Sequence, residues 1–153
     1  MLLLGAFANN YAASISLRSI MPIKSSELAN SYEKHYQNHS FETLAASWLT
    51  ADGWEVLVPM IDHGRKTDIV VSDGKKFYRI QVKSLECSNE SVVVENKWSN
   101  ADSTIDYVIY FSKSAPWGYV AKAFTETRRR LNSKGHIRFN QNAKHFIDAF
   151  KKV

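Results

Sequence analysis

Between positions 41 and 49 the apolar residues Phe41, Leu44, Ala45, Trp48 and Leu49 repeat at i, i+3, i+4, i+7 and i+8. That spacing lines one face of an α-helix. The pattern predicts a helix capped by Ser25 or Ser26, interrupted near Asn38, running to about Thr50 and ended by Ala51-Asp52-Gly53. Beyond it the period changes to two. Trp54, Val56 and Val58 alternate with Glu55 and Leu57, predicting a strand over residues 54–60 that Pro59 closes. Two more β-rich runs, 66–72 and 75–83, flank Asp73-Gly74 and predict a hairpin. Residues 91–94 form a short β-rich run, 105–111 a nearly all-apolar strand of the kind buried on both faces, and 119–124 one more strand. Residues 125–130 and 143–152 read as helical. The element order predicts an α/β fold with a mixed central β-sheet flanked by helices.

The hairpin gathers chemistry on one face. With a two-residue turn at Asp73-Gly74, Ser72 pairs with Lys75 and Asp68 lies opposite Arg79 and diagonal to Gln81; the period of two adds Lys83 to the same side. Ile69, Val71, Tyr78, Ile80 and Val82 then form an apolar opposite face, and a one-residue slip would bury Asp68 while exposing the valines. An acid, an amide and a lysine thus share one sheet surface, a suitable hydrolytic site. Glu42 borders the buried stripe of the first helix, beside Phe41 and on the side of Ala45 and Leu49, where a carboxylate can reach over the sheet.

Composition narrows the class. The chain has 153 residues, 44% apolar and 23% charged, with a net charge of +5, the profile of one globular domain. One cysteine, Cys87, excludes an internal disulfide framework and a multi-cysteine zinc site. His35 and His39 are spaced i, i+4, but Tyr36 stands where a zinc protease has its glutamate. No apolar run approaches the roughly 20 residues that span a bilayer, so no membrane partner is expected. After Ser112 ten Lys or Arg face two acids, Glu126 and Asp148, so the last quarter carries more than the whole-chain charge. Arg128, Arg129, Arg130, Lys134 and Arg138 therefore suggest a polyanion partner. Residues 1–20 lack the fold's periodicity and read as a leader or upstream extension, with residues 21–153 the single domain. Their acid-poor, Ser-containing makeup also has some character of an organelle import sequence.

Glu42, then Thr67-Asp68, then Gln81-Val82-Lys83 resembles the PD-(D/E)XK nuclease superfamily, in which a helical Glu precedes an Asp on one strand and a (D/E)-x-K tripeptide on the next. The resemblance runs from about Phe41 to Leu85, and its Gln-x-Lys form is nearest to intron-associated homing endonucleases. Thr67 replaces the motif's proline and Gln81 its acid. The resemblance implies a restriction-endonuclease-like core and a Mg²⁺-dependent DNA endonuclease, with Mn²⁺ able to substitute. Asp68, the Gln81 side-chain oxygen, the Val82 carbonyl and Glu42 would hold the metal, and Lys83 would serve the attacking water. Double-stranded DNA would lie along Arg65, Arg79 and the basic C-terminal residues, and a homodimer or homotetramer would cut both strands. A Holliday junction resolvase and a catalytically inactive DNA-binding module are the alternatives. The expected setting is the cytoplasm of a bacterial or phage-infected host cell.

Overall fold

The structure, a computed structural model, describes residues 26–61, 64–98 and 105–153. The residue 1–20 leader and the Ser25 cap lie outside these. Helix α1 (Asn30–Ala51) is continuous and starts behind Ala29 without a side-chain cap. The predicted break at Asn38 is absent, because the Asn38 amide oxygen accepts the Ser84 hydroxyl at 2.8 Å instead of competing with the helix backbone. Asp52 and Gly53 end the helix as predicted. Gly53 takes φ +92°, its N–H bonds the Thr50 carbonyl, and the Trp54 N–H reaches back to Leu49, a Schellman stop that a residue with a Cβ would strain.

Strands β1 (Glu55–Leu57), β2 (Ile69–Ser72), β3 (Phe77–Leu85), β5 (Tyr107–Ser112), β6 (Trp117–Lys122) and β8 (Ile137–Asn140) form one sheet in the order β1-β2-β3-β5-β6-β8. The β3–β5 pair is parallel and its neighbours are antiparallel, so the sheet is mixed. Helices α1 and α2 (Ala143–Phe150) cover one face through Ala45, Leu49, Phe146 and Phe150, packed on Ile69, Val71, Ile80, Val82, Ile109 and Phe111. On the other face a two-stranded ribbon, β4 (Val93–Glu95) with β7 (Arg128–Arg130), closes a second core of Val94, Trp98, Val108, Tyr110, Trp117 and Leu131. Gly118 lets the Phe139 ring lie on β6, since a Cβ there would collide with that ring and with the Tyr110 carbonyl.

Two further predictions require correction, and one strand was not expected. The hairpin register is two residues longer than expected: Ser72 pairs with Phe77, Val70 with Arg79 and Ile69 with Ile80. Only Gly74 of the turn has positive φ. Asp73 keeps negative φ and its carboxylate accepts the Lys75 and Lys76 N–H groups at 2.9 and 2.8 Å, which caps a four-residue loop. A shift of two preserves the facing of every side chain in the paired run, and Asp68 lies one residue before that run, its N–H on the Ile80 carbonyl. Residues 125–130 are not a helix, because Arg128–Arg130 pair with Glu95, Val94 and Val93 as β7. Strand β8 stands where no strand was predicted; its alternation Ile137-Arg138-Phe139-Asn140 buries only Phe139 deeply.

Candidate active site

Strand β3 outlasts its neighbour. Pairing with β2 stops where the Asp68 N–H bonds the Ile80 carbonyl at 3.0 Å. One residue pair further, the Asp68 side chain replaces the missing strand, with Oδ2 accepting the Val82 N–H at 2.6 Å. In a strand the N–H and C=O of one residue point to the same edge, so the Val82 carbonyl faces the edge that β2 has vacated. There, between α1 on one face and β4 on the other, lies a cleft of about 420 Å³ whose lining includes Asn38, Glu42, Val82, Lys83, Glu95 and Lys97.

Gln81 points to the ribbon-side face of β3, since its neighbours Ile80 and Val82 pack on the helix side. It is 9% exposed, and its Oε1 is buried with no hydrogen-bond partner among the described residues. Such an orphaned acceptor is costly and needs an occupant. Lys83 follows on the same face. Its ammonium donates to the Glu95 carbonyl at 3.0 Å and lies 4.5 Å from the centroid of the Trp98 ring. Burial, then the charge of Lys97, push its pKa down to about 8, against the opposing pull of Asp68 and Glu95. Glu42 enters the cleft from α1, with Oε2 2.7 Å from His39 Nδ1. The structure therefore brings Asp68, Gln81, Val82 and Lys83 to one strand edge and places Glu42 in the adjoining cleft.

Thr67 has a role that sequence reading did not assign. It is buried, and its hydroxyl accepts the Arg79 Nε and Nη2 at 2.9 and 2.5 Å. Where the motif has proline, this chain uses a side-chain anchor to fix the residue next to Asp68. Arg79 is thus bound into the site's support, with its backbone N–H on the Asp106 carboxylate at 2.7 Å. Arg65 is exposed in the loop that leads to Asp68.

The basic C-terminal residues do not share one surface. Arg128 and Arg130 project from the outer face of the ribbon, with Arg128 2.8 Å from Glu95. Arg129 points the opposite way, toward the Phe124 ring and Glu126. Arg138 pairs with Glu90 at 2.9 Å on β8, and Lys134 is exposed in the turn before it. Asn38, Glu95, Lys97 and Trp98 join the site's surroundings from α1, β4 and the residues after β4.

A profile of PD-(D/E)XK endonucleases matches residues 32–113, more than half of the chain and a span that holds every residue of this edge. The protein belongs to the PD-(D/E)XK endonuclease family. Nucleases of this family act on DNA and generally use divalent metal ions. The bacterial homing endonuclease I-Ssp6803I is similar in structure, with a TM-score of 0.47, 18% identity, and coverage of 71% of this chain and 77% of that one. The Archaeoglobus fulgidus Holliday junction resolvase Hjc gives 0.41 and 14%, covering 72% and 88%. No curated protein sequence matches the chain.

The residues of this endonuclease fit a hard divalent cation. Asp68, the orphaned Gln81 Oε1 and the Val82 carbonyl offer only oxygen, the donor type that Mg²⁺ and Mn²⁺ prefer. Among the described residues no three His, Cys, Asp or Glu side chains converge, so the amide and backbone oxygens would complete such a set. No helix among those residues is long and apolar enough to cross a membrane.

Proposed function

We propose that this nuclease is a Mg²⁺-dependent, site-specific DNA endonuclease of the homing type, with Mn²⁺ able to replace Mg²⁺. The observation that carries the catalytic reading is the pairing, on one open strand edge, of an unsatisfied buried oxygen at Gln81 with the lowered-pKa ammonium of Lys83. A cation bound by Asp68, Gln81, Val82 and Glu42 would supply Lewis acidity toward the phosphate and a lowered water pKa. Lys83, about half uncharged at pH 8, accepts the proton of the attacking water and in its charged form hydrogen-bonds the phosphate oxygens. Glu95 and Trp98 hold that ammonium in place before substrate arrives. The His39 ring, one turn earlier on α1, steadies Glu42.

The homing assignment rests on the Gln-x-Lys tripeptide. One active edge cuts one strand, so a double-strand break requires two copies, in a dimer or tetramer. The experiment is incubation with a supercoiled plasmid, a linear duplex and a four-way junction, in Mg²⁺ or EDTA. A homing enzyme cuts a cognate duplex at a fixed position. Cleavage confined to the junction, whatever its sequence, would assign the protein to junction resolution, and absence of metal-dependent cleavage on any substrate would leave a DNA-binding module.

A further inference from the structure

The cleft carries more positive charge than the reaction chemistry uses. Val93, Glu95 and Lys97 alternate along one side of β4 and its extension and all line the cleft. Glu95 cannot neutralise Lys97, because its carboxylate is taken by Arg128 at 2.8 Å and its carbonyl by Lys83. Lys66 stands in the loop before β2, two residues before Asp68. It is the one non-glycine residue with positive φ among those described, at +60°, a conformation that crowds a side chain's Cβ against the following carbonyl. Both Lys97 and Lys66 act on the Lys83 ammonium by charge repulsion, and neither has an acidic partner within ion-pair distance among the described residues. Three like charges, one of them held on a strained backbone, oppose folding in the free protein and favour a bound polyanion.

We propose that Lys97 and Lys66 are phosphate-binding residues that hold the cleaved strand on the two sides of the scissile phosphate. The inference rests on the DNA-endonuclease reading above. Lys97 shares the cleft with Lys83 and Lys66 acts on Lys83 from the loop before β2, so a phosphate presented to Lys83 leaves its neighbours along the strand an ammonium from each segment. This accounts for an ammonium pair that a fold alone would avoid, and it gives the left-handed Lys66 a use.

The test measures binding of a short fluorescent duplex in Ca²⁺ across a NaCl series, with Lys97→Gln, Lys66→Asn and the double variant. Each lost phosphate contact should reduce the salt slope of log K by about 0.9, and the double variant by about 1.8. Lys97→Arg should restore the wild-type slope. Asparagine accepts the left-handed conformation, so Lys66→Asn should melt no lower than wild type while binding more weakly. In Mg²⁺, kcat/KM should fall further than kcat at saturating DNA. Lys144→Gln, a control on α2 ion-paired with Asp148 at 2.8 Å, should keep the wild-type slope. If wild type binds and cleaves but both variants keep its slope, the inference is overturned and the endonuclease reading stands. If wild type neither binds nor cleaves DNA, that reading fails with it.

Discussion

Replacing Gln81 separates a metal ligand from a packing residue, because its two informative variants move apo stability in opposite directions. Asp68 reaches the residue next to Gln81, its Oδ2 accepting the Val82 N–H at 2.6 Å. Neighbouring strand side chains lie roughly 5–8 Å apart. Gln81→Glu sets a second carboxylate there, and two charges at that distance repel by about 2–3 kcal/mol at an effective dielectric of about 20. Proton uptake by the introduced carboxylate would reduce this, so the loss in EDTA should be about 1–3 kcal/mol, or roughly 3–10 °C in Tm for a chain of this size. Mg²⁺ or Mn²⁺ should reverse it, giving this variant a larger metal-induced rise than wild type. Gln81→Leu removes a buried acceptor that has no partner, so its stability in EDTA should hold or rise by about 1 kcal/mol. The same variant should lose most of the metal-induced rise and most cleavage. The assay is thermal unfolding in EDTA and in a metal titration, alongside plasmid cleavage. A leucine variant with the wild-type metal response would remove Gln81 from the metal site. A glutamate variant as stable as wild type in EDTA would refute the proximity to Asp68.

Further expectations follow from other groups. Neutralising Arg128 and Arg130 together should lower the salt slope of DNA binding by up to about 2, whereas Arg129→Gln should leave it unchanged, since Arg129 faces Phe124; equal effects would return the three arginines to one surface. The cleavage rate should rise with pH and level off above about 8, the pKa of Lys83, because the uncharged amine is the base; a Lys83→Met variant that still cleaves would exclude that role. Burial holds the His136 imidazole below the ordinary value of 6.5, so the unfolded chain takes up protons first and stability should fall as the pH drops below 6.5. His136→Gln should flatten that acid limb of a Tm–pH curve, and an unchanged limb would assign the loss to another group.

How much of this was legible depended on how local each determinant was. The shared facing of Gln81 and Lys83 followed from period two along one strand and did not depend on the hairpin register, which was off by two residues. The loop length was misread because Asp-Gly also suits a longer turn in which Asp73 caps two N–H groups. Glu42 was placed by the apolar stripe beside it. Arg128–Arg130 looked like part of a charged helix because nothing local shows that Val93 and Glu95 wait to pair with them. Strand β8 was missed because an edge strand that buries one phenylalanine scarcely departs from a polar loop. Lys97 and Lys66 meet Lys83 from two separate loops, and no spacing in the chain could announce that.

The most direct measurement is cleavage of supercoiled plasmid by wild type and Asp68→Ala in Mg²⁺ and in EDTA, with duplex binding followed in parallel. Asp68 closes the open edge of β3 through the Val82 N–H, and Val82 follows Gln81 with its orphaned oxygen. The account predicts that wild type nicks or linearises the plasmid in Mg²⁺ alone, and that Asp68→Ala leaves it supercoiled while keeping its fold and DNA affinity. An Asp68→Ala protein that cleaves at the wild-type rate, or a wild type that cleaves equally well in EDTA, would contradict it.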